Sequence, residues 1–599
     1  MSTRSFRARW KLALPVALAA AVVTVIAAGT TQAGPTAAKV KGPKFSDAVA
    51  FDVSKPLTEL AKDRKAPAVN KAALSQGPDG IDFESPGPPS GRAARAAAPT
   101  ATRVAGAQQA PSAMPPTIAN FEGLNNHDNF NVFGFRVNPP DPDGDVGPNH
   151  YVEIVNVVFA VYSKTGTLLL GPVDTGSLWA GFEVADCTDP SGDPIVLYDQ
   201  FVDRWIITQF TTRGFDENGD FNGLPFYNCV AISQTGDPTG AYYRYAFITS
   251  QAGTTSAFFP DYPKYGVWTD SYVLTSRDFG SQDEYGIGVY ALEKNKMVNG
   301  QPNARAVQFF LDGNDPDMLP LVGDGLLPAD IDGKQKPKTD TAIPIVGTQD
   351  DGAGYGATFD ALNIWDLYVK WRSTPVASLT LKTQLPTAPF DSIYPCGVVP
   401  GSQPPSARDC LPQPGVTDGS QYLDILSYRQ RPIWRLAYRN FKEYESLVTN
   451  QSVEAAPSVG GTRWYEIRRT GGTYTVHQQG TVFGNDVHRW MGSIAQDKKG
   501  NMALGYSVVN ATDVFPGIRY TGRLAGDPPG TMPQGEGTII NGSGVQTNVN
   551  SRWGDYTSMN VDPVDDCTFW YVNEYYAVTE PPPDRNWQTR IASFKFPGC

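Results

Sequence analysis

Two arginine-bearing triplets, His488-Arg489-Trp490 and Arg552-Trp553-Gly554, the second running on into Asp555 and Tyr556, set cations, an acid and a phenol close together in the chain. Guanidinium groups hold carboxylates through two parallel hydrogen bonds, so Arg489, Arg523 and Arg552 converging on one point would grip an acidic sugar. Cleavage at that point needs a nucleophile and a proton donor or acceptor, and Tyr556, Asp555, Glu574 and His488 are the candidates. The stretch DYPKYGVW from Asp261 places Lys264 among aromatic rings, the kind of surface on which sugars stack. The structural alternative for the Arg-Trp pairs is ion pairing and cation–π stacking between sheets.

Metal chemistry is the other possibility. DPDGDVG, with Asp141, Asp143 and Asp145, and DENGDFNG, with Asp216, Asn218 and Asp220, put oxygen ligands at alternating positions around glycine, as structural calcium loops do. Neither supplies the bidentate Glu of an EF-hand. Four histidines without close spacing argue against catalytic zinc, and neither a G-x-S-x-G elbow nor a phosphate-cradling glycine loop is present.

The elements that must position these groups are short strands. From about residue 117 onward, runs such as HYVEIVNVVFAVYS (150–163), PIVLYDQFVDRWIITQFT (194–211) and ALNIWDLYVKW (361–371) alternate aromatic and β-branched residues between Asp, Gly, Asn and Pro clusters. A loose repeat of an acidic turn followed by an apolar strand recurs at Asp199, Asp270, Asp497 and Asp562. Repeated antiparallel four-stranded units predict an all-β fold, a β-propeller of about seven blades over 117–599, since a bare blade takes about 40–50 residues. A pair of β-sandwiches is the alternative. In a propeller, His150 and His488 would meet if the first and a late blade face each other across the channel.

The amino terminus carries Arg4, Arg7, Arg9 and Lys11, an apolar run from Leu12 to Ala28, then Thr31-Gln32-Ala33, the pattern of a secretory signal peptide over 1–33. An uncleaved anchor is the alternative. Residues 34–116, rich in Ala, Pro, Lys and Gly, predict a disordered linker or pro-segment. Export makes disulfides the expected state of the six cysteines, paired by proximity as Cys187–Cys229, Cys396–Cys410 and Cys567–Cys599. A net charge of -12 argues against nucleic acid as a partner.

Taken together, HRWMGSIAQDKKGNMALGYS (488–507), PGIRYTGR (516–523), SRWGDYTSMNVDPVDDCTFWYVNEYY (551–576), DPDGDVGPNHYVEIVN (141–156) and DPIVLYDQFVDRWIITQF (193–210) resemble the sialidase-like, BNR-repeat-like superfamily of secreted bacterial β-propellers, in an uncharacterised branch. The family's Asp box is matched at SQDEYGIGVY (281–290) only with an insertion. The resemblance implies a fold rather than an activity. The expected protein is thus a secreted monomer, free of the membrane once its signal is removed. It would recognise an extracellular glycan or cell-surface polymer through a channel face built by 145–150, 261–264, 488–490, 519–523 and 552–556, and would carry structural Ca2+ at most. Substrate contacts are expected from Arg489, Arg523, Arg552, His150, Asp261 and Lys264. A hydrolase or lyase acting on acidic sugars and an envelope or matrix protein are the alternatives.

Overall fold

The computed structural model describes residues 40–63 and 113–599, apart from residues 217, 250–256, 283, 339, 394–395, 398, 405–408, 426–429, 485, 548–550 and 580–586. Among the described residues, seven four-stranded antiparallel units follow one another: blade 1 over 143–174, blade 2 over 195–249, blade 3 over 258–312, blade 4 over 327–386, blade 5 over 433–482 and blade 6 over 488–540. Blade 7 takes three strands from the end of the chain, Ser558–Val561, Phe569–Tyr575 and Gln588–Phe594, and its outermost strand, Ala119–Asn125, from the beginning. The two ends of the domain are therefore sewn into one sheet.

The first strand of each blade touches the first strand of the next, from blade 1 through blade 7 and back to blade 1. That closed ring makes the fold a seven-bladed β-propeller with the first strands lining its channel. Each of these strands has an edge facing the channel, where backbone N–H groups need acceptors. Aspartates of neighbouring blades supply them. Asp143 accepts from Val196 N–H at 2.9 Å, Asp145 from Tyr198 N–H at 2.7 Å, and Asp330 from Val267 N–H at 2.9 Å. Blades 4 and 5 go further and pair their first strands in parallel, Ala329 opposite Leu436. Blades 3 and 4 approach closely at Gly266, where a Cβ would lie 2.4 Å from the Ala329 carbonyl oxygen.

Between blades the sheets pack face to face, so strands such as Ser271–Gly280 and Met502–Val509 are buried along their whole length. Large rings fill the wedges: Trp268 meets Tyr438 edge-on at 5.0 Å between blades 3 and 5, and Trp490 meets Trp553 at 5.0 Å. The acidic turns at Asp199, Asp270, Asp497 and Asp562 all lie between the first and second strands of their blades, 2, 3, 6 and 7. Asp497 shows why the residue type recurs: its Oδ1 accepts from the amides of Lys499 at 2.8 Å and Asn501 at 3.0 Å, closing the turn.

One expectation is corrected. Within the segment read as disordered, Val40–Asp47 pairs with the last strand of blade 3, Arg305–Asp312, and Ala50–Val53 pairs with the last strand of blade 2, Tyr242–Thr249. Asp52 clamps this strap by accepting from Arg244 at 2.7 and 2.6 Å. A fifth, outermost strand buries little apolar surface, so its sequence carries little of the alternation by which strands are recognised. The signal segment 1–33 and residues 64–112 lie outside the described residues. No helix among the described residues is long and apolar enough to cross a membrane. The three disulfides pair as expected: Cys187–Cys229, Cys396–Cys410 and Cys567–Cys599.

Candidate functional site

The segments leading into the first strands converge at one end of the channel, and their backbone is strained there. Asp141 (φ 49°), Asp193 (49°), Tyr262 (52°), Gly323 (51°), Gln430 (38°), Met491 (48°) and Ser551 (56°) all lie in the left-handed region, one residue from each blade. Gly323 takes that conformation freely, whereas each of the other six carries a steric cost of about 1 kcal/mol or more. At Tyr262 and Met491 the strand ladder also slips, between Asp261 and Lys264 and between Trp490 and Ser493. Such bulges re-aim side chains.

The side chains so aimed form one charged cluster. Tyr556 Oη lies 3.0 Å from Asp193 Oδ2 and 3.0 Å from the Pro263 carbonyl oxygen. The Lys264 ammonium sits 3.0 Å from the centre of the Tyr262 ring and 3.4 Å from that of Tyr556, and the Arg431 guanidinium lies 3.7 Å from the Tyr262 ring. Asp555 pairs with Arg552 at 2.9 Å and lies 3.9 Å from Arg431. The loop carrying these groups is held by carboxylates at its back: the Asp555 amide donates to Asp141 at 2.6 Å, and the Gly554 amide donates to Glu574 at 3.0 Å. On the blade 3 side, Arg277 stands opposite Asp261 in the strand register and pairs with Asp324 at 3.3 Å.

Burial dominates the electrostatics. It raises Asp141 to about 6, helped by the nearby Asp555 charge, and holds Glu574 well above the carboxylate range. Asp193 is raised well above that range by burial and then by the Asp261 and Asp141 charges, with Lys264 opposing. Asp261 is raised by burial against Arg277. Lys264 is pushed well down by burial, opposed first by Asp193. Tyr556 is fully buried and its phenol is raised further by burial and Asp193, so it is a hydrogen-bond donor here and not an activated nucleophile. Asp193, Asp261 and Arg552 are half-buried, whereas Arg431 and Lys264 are buried.

Of the residues singled out in the sequence, this mouth gathers Asp141, Asp261, Lys264, Arg552, Asp555, Tyr556 and Glu574. It does not gather Arg489 or Arg523. Arg489 pairs with Glu536 at 2.9 Å, and Arg523 donates to Gln478 at 2.7 Å and to the carbonyl oxygens of Asp527 and Pro528, all within or beside blade 6. The expected arginine convergence therefore fails, because Arg523 ends the third strand of blade 6 and Arg489 pairs with Glu536 on the fourth, and Arg431 and Arg277 stand in their place. His488 accepts from the Gly460 amide at 3.1 Å, and burial lowers it to about 4, which makes it a neutral structural group. His150 lies past the turn that ends the first strand of blade 1, at the opposite end of the channel, so the two histidines do not meet.

The two expected calcium loops also read differently. Asp141, Asp143 and Asp145 lie on and just before an extended strand, about 7 Å apart per pair of residues, and bond to different partners instead of converging on one ion. Burial holds Asp143 at about 7. In the second loop, Asp216 Oδ1 accepts from the Asn218 amide at 2.7 Å and the Asp220 amide at 3.1 Å, closing its own turn. A carboxylate trio not anticipated from sequence, Asp350, Asp351 and Asp360, lies within 4.8 Å. Asp350 and Asp360 there accept from Ser392 and Phe390 amides at 2.7 and 2.8 Å, as loop staples.

The missed mouth residues have a shared sequence mark. Asp141-Pro142, Asp193-Pro194 and Arg431-Pro432 place a charged residue before proline at the entry to the first strand in blades 1, 2 and 5, and Tyr262-Pro263 places an aromatic one before proline at the bulge inside the first strand of blade 3. Aligned on that dipeptide, Asp193, Tyr262 and Arg431 stand out.

No family model matches the sequence, and no curated protein does. Among solved structures, an endo-arabinase from Bacteroides thetaiotaomicron is 12% identical, with 57% of this chain and 95% of that one covered and a TM-score of 0.25. An alpha-L-arabinofuranosidase from Fusarium graminearum is 9% identical over 67% and 93%, with a TM-score of 0.24. A subtype N10 neuraminidase-like protein of A/little yellow-shouldered bat/Guatemala/060/2010 is 10% identical over 63% and 93%, with a TM-score of 0.29. At such scores the architecture rests on the ring of strands described above.

Proposed function

We propose that the protein is an extracellular glycan-binding β-propeller whose ligand sits at the channel mouth over Asp193, Asp261 and Arg552. One observation carries this reading. In a cluster that is otherwise buried and internally bonded, these three residues keep partial exposure, on or beside left-handed backbone and a bulge. Carboxylates and guanidinium groups fixed in that way are the hydrogen-bonding partners that sugar hydroxyls need. An acidic sugar would bring its carboxylate against Asp193 and Asp261 while Arg277 and Arg431 stay buried, so a neutral glycan fits better. Three disulfides agree with an oxidising, extracellular setting.

The test is binding of the purified protein to neutral, amino and acidic polysaccharides, with Asp193→Asn, Asp261→Asn and Arg552→Gln beside the wild type. Each variant should weaken binding about tenfold, the loss of one charge-assisted hydrogen bond. Unchanged affinity in all three sinks the assignment, and no binding to any glycan favours a structural envelope role. A second reading, glycan hydrolysis, is favoured by the Asp193–Asp261 pair alone: burial raises both, the Asp261 charge raises Asp193 further and Arg277 opposes the rise of Asp261, so Asp193 can hold a proton as acid while Asp261 stays ionised as base. Release of reducing ends that Asp193→Asn and Asp261→Asn abolish would distinguish cleavage from binding.

A further inference from the structure

We infer that Lys264 is an internal cation that positions the channel mouth, holding Tyr556 against Asp193, and that it does not itself touch the ligand. This rests on the glycan-binding reading only for its consequence, since the geometry stands without a ligand. Lys264 is 1% exposed, so no solute reaches its ammonium. That ammonium is sandwiched between the Tyr262 and Tyr556 rings, at 3.0 and 3.4 Å from their centres, and its hydrogen bond to the Pro263 carbonyl oxygen is long, at 3.5 Å. The same carbonyl oxygen lies 3.0 Å from Tyr556 Oη, which also lies 3.0 Å from Asp193 Oδ2. The aromatic faces favour the charged amine, and the amine fixes the tilt of the Tyr556 ring, which in turn fixes the half-buried Asp193 carboxylate.

The arrangement has an electrostatic effect that simple packing lacks. The groups facing Asp193 are Asp261, Asp141 and Asp555, which raise it, Lys264, which lowers it, and Tyr556, which bonds to it. Burial is the strongest influence against the Lys264 charge and lowers it overall; Asp193, Asp555 and Asp141 stand in favour of that charge and Arg431 against it. Loss of the Lys264 cation removes a charge that lowers Asp193 and leaves the three acids that raise it, so it keeps its proton to higher pH. The ionised form available to a ligand at neutral pH shrinks accordingly.

The experiment compares wild type, Lys264→Met and Tyr262→Leu in the full chain. Methionine keeps an unbranched apolar stem without the charge, and leucine loosens the sandwich while leaving the Tyr556 hydroxyl in place. Carboxyl 13C NMR of aspartate-labelled protein, with Asp193→Asn to assign the signal, follows Asp193 without any ligand. Removal of this cation should raise the Asp193 midpoint in Lys264→Met, and less in Tyr262→Leu. The acid limb of glycan binding should move up by the same amount. Lys264→Arg, which keeps the charge while changing the shape of the side chain, should hold the Asp193 midpoint near the wild-type value, which a packing role would not produce. An Asp193 midpoint unmoved in both Lys264→Met and Tyr262→Leu overturns the inference whatever the binding data show. A moved midpoint in a protein that binds no glycan keeps the inference and removes the glycan reading. Should Lys264→Met not fold, Tyr262→Leu alone decides, since its Asp193 midpoint must rise.

Discussion

Replacing Arg435 by methionine should be among the most damaging single changes in the channel wall. Arg435 is 2% exposed and donates to Asp330 at 2.8 Å, to Asp332 at 3.1 and 2.6 Å, and to the Met559 carbonyl oxygen at 3.1 Å. It thereby ties the first strands of blades 4, 5 and 7 across the channel. Asp330 and Asp332 are themselves 4% and 8% exposed, and Asp145 lines the same small cavity. Methionine fills most of the stem volume, so the loss comes from charge: buried carboxylates left without their cation cost about 3–5 kcal/mol, or roughly two to four orders of magnitude in the folding constant. Burial already holds Asp332 and Asp145 above the ordinary carboxylate range, with Arg435 pulling both down. Without Arg435 they rise further. An acid whose folded-state pKa is raised costs stability in full at pH above that pKa, and the cost shrinks as pH falls from it toward the unfolded-state pKa. The deficit of Arg435→Met should therefore be larger at pH 8 than at pH 5.5. Urea unfolding followed by tryptophan fluorescence, at both pH values, measures it. Adding Asp330→Asn and Asp332→Asn to Arg435→Met should recover most of the loss. A deficit below about 1 kcal/mol, one of equal size at both pH values, or a triple variant no better than the single would refute the reasoning.

His488, lowered to about 4 by burial and neutral against the Gly460 amide, should make the fold lose about 3 kcal/mol as pH falls from 6.5 to 4, because the unfolded chain takes the proton first; His488→Gln should flatten that part of the stability–pH curve. Removing Cys567–Cys599 as a double alanine variant opens a loop with a separation of 32 residues and should cost about 3.5–4 kcal/mol, against about 3 for Cys396–Cys410 with its separation of 14, compared by thermal unfolding. Deleting residues 40–53 uncovers the outer edges of blades 2 and 3, so the truncated protein should melt earlier and associate with rising concentration in light scattering. The milder Asp52→Ala, which leaves Arg244 with the Leu178 and Ala180 carbonyl oxygens, should cost about 1–2 kcal/mol without association.

Local chemistry alone determined much of the architecture. The alternation of strands, the acidic turns at Asp199, Asp270, Asp497 and Asp562, and the three disulfide pairs are all written in short stretches, because each depends on neighbours within a blade. The Arg552–Tyr556 segment was legible for the same reason: its acid, cation and phenol lie within one loop. What the sequence left open was the partnership between blades. Arg489 and Arg523 look as functional as Arg552 on paper, yet they turn into blade 6, while Arg431 and Arg277 arrive at the mouth from blades 5 and 3. Asp141, Asp143 and Asp145 look like one calcium loop, yet a strand spreads them along the channel to three different amides. The outer strand of blade 7 and the strap over blades 2 and 3 pair with segments hundreds of residues away. In each case the deciding factor is ring closure, a long-range condition that sets which first strands become neighbours and so which side chains share the mouth. Residue types fix what a side chain can do, and only the closed ring decides what it meets.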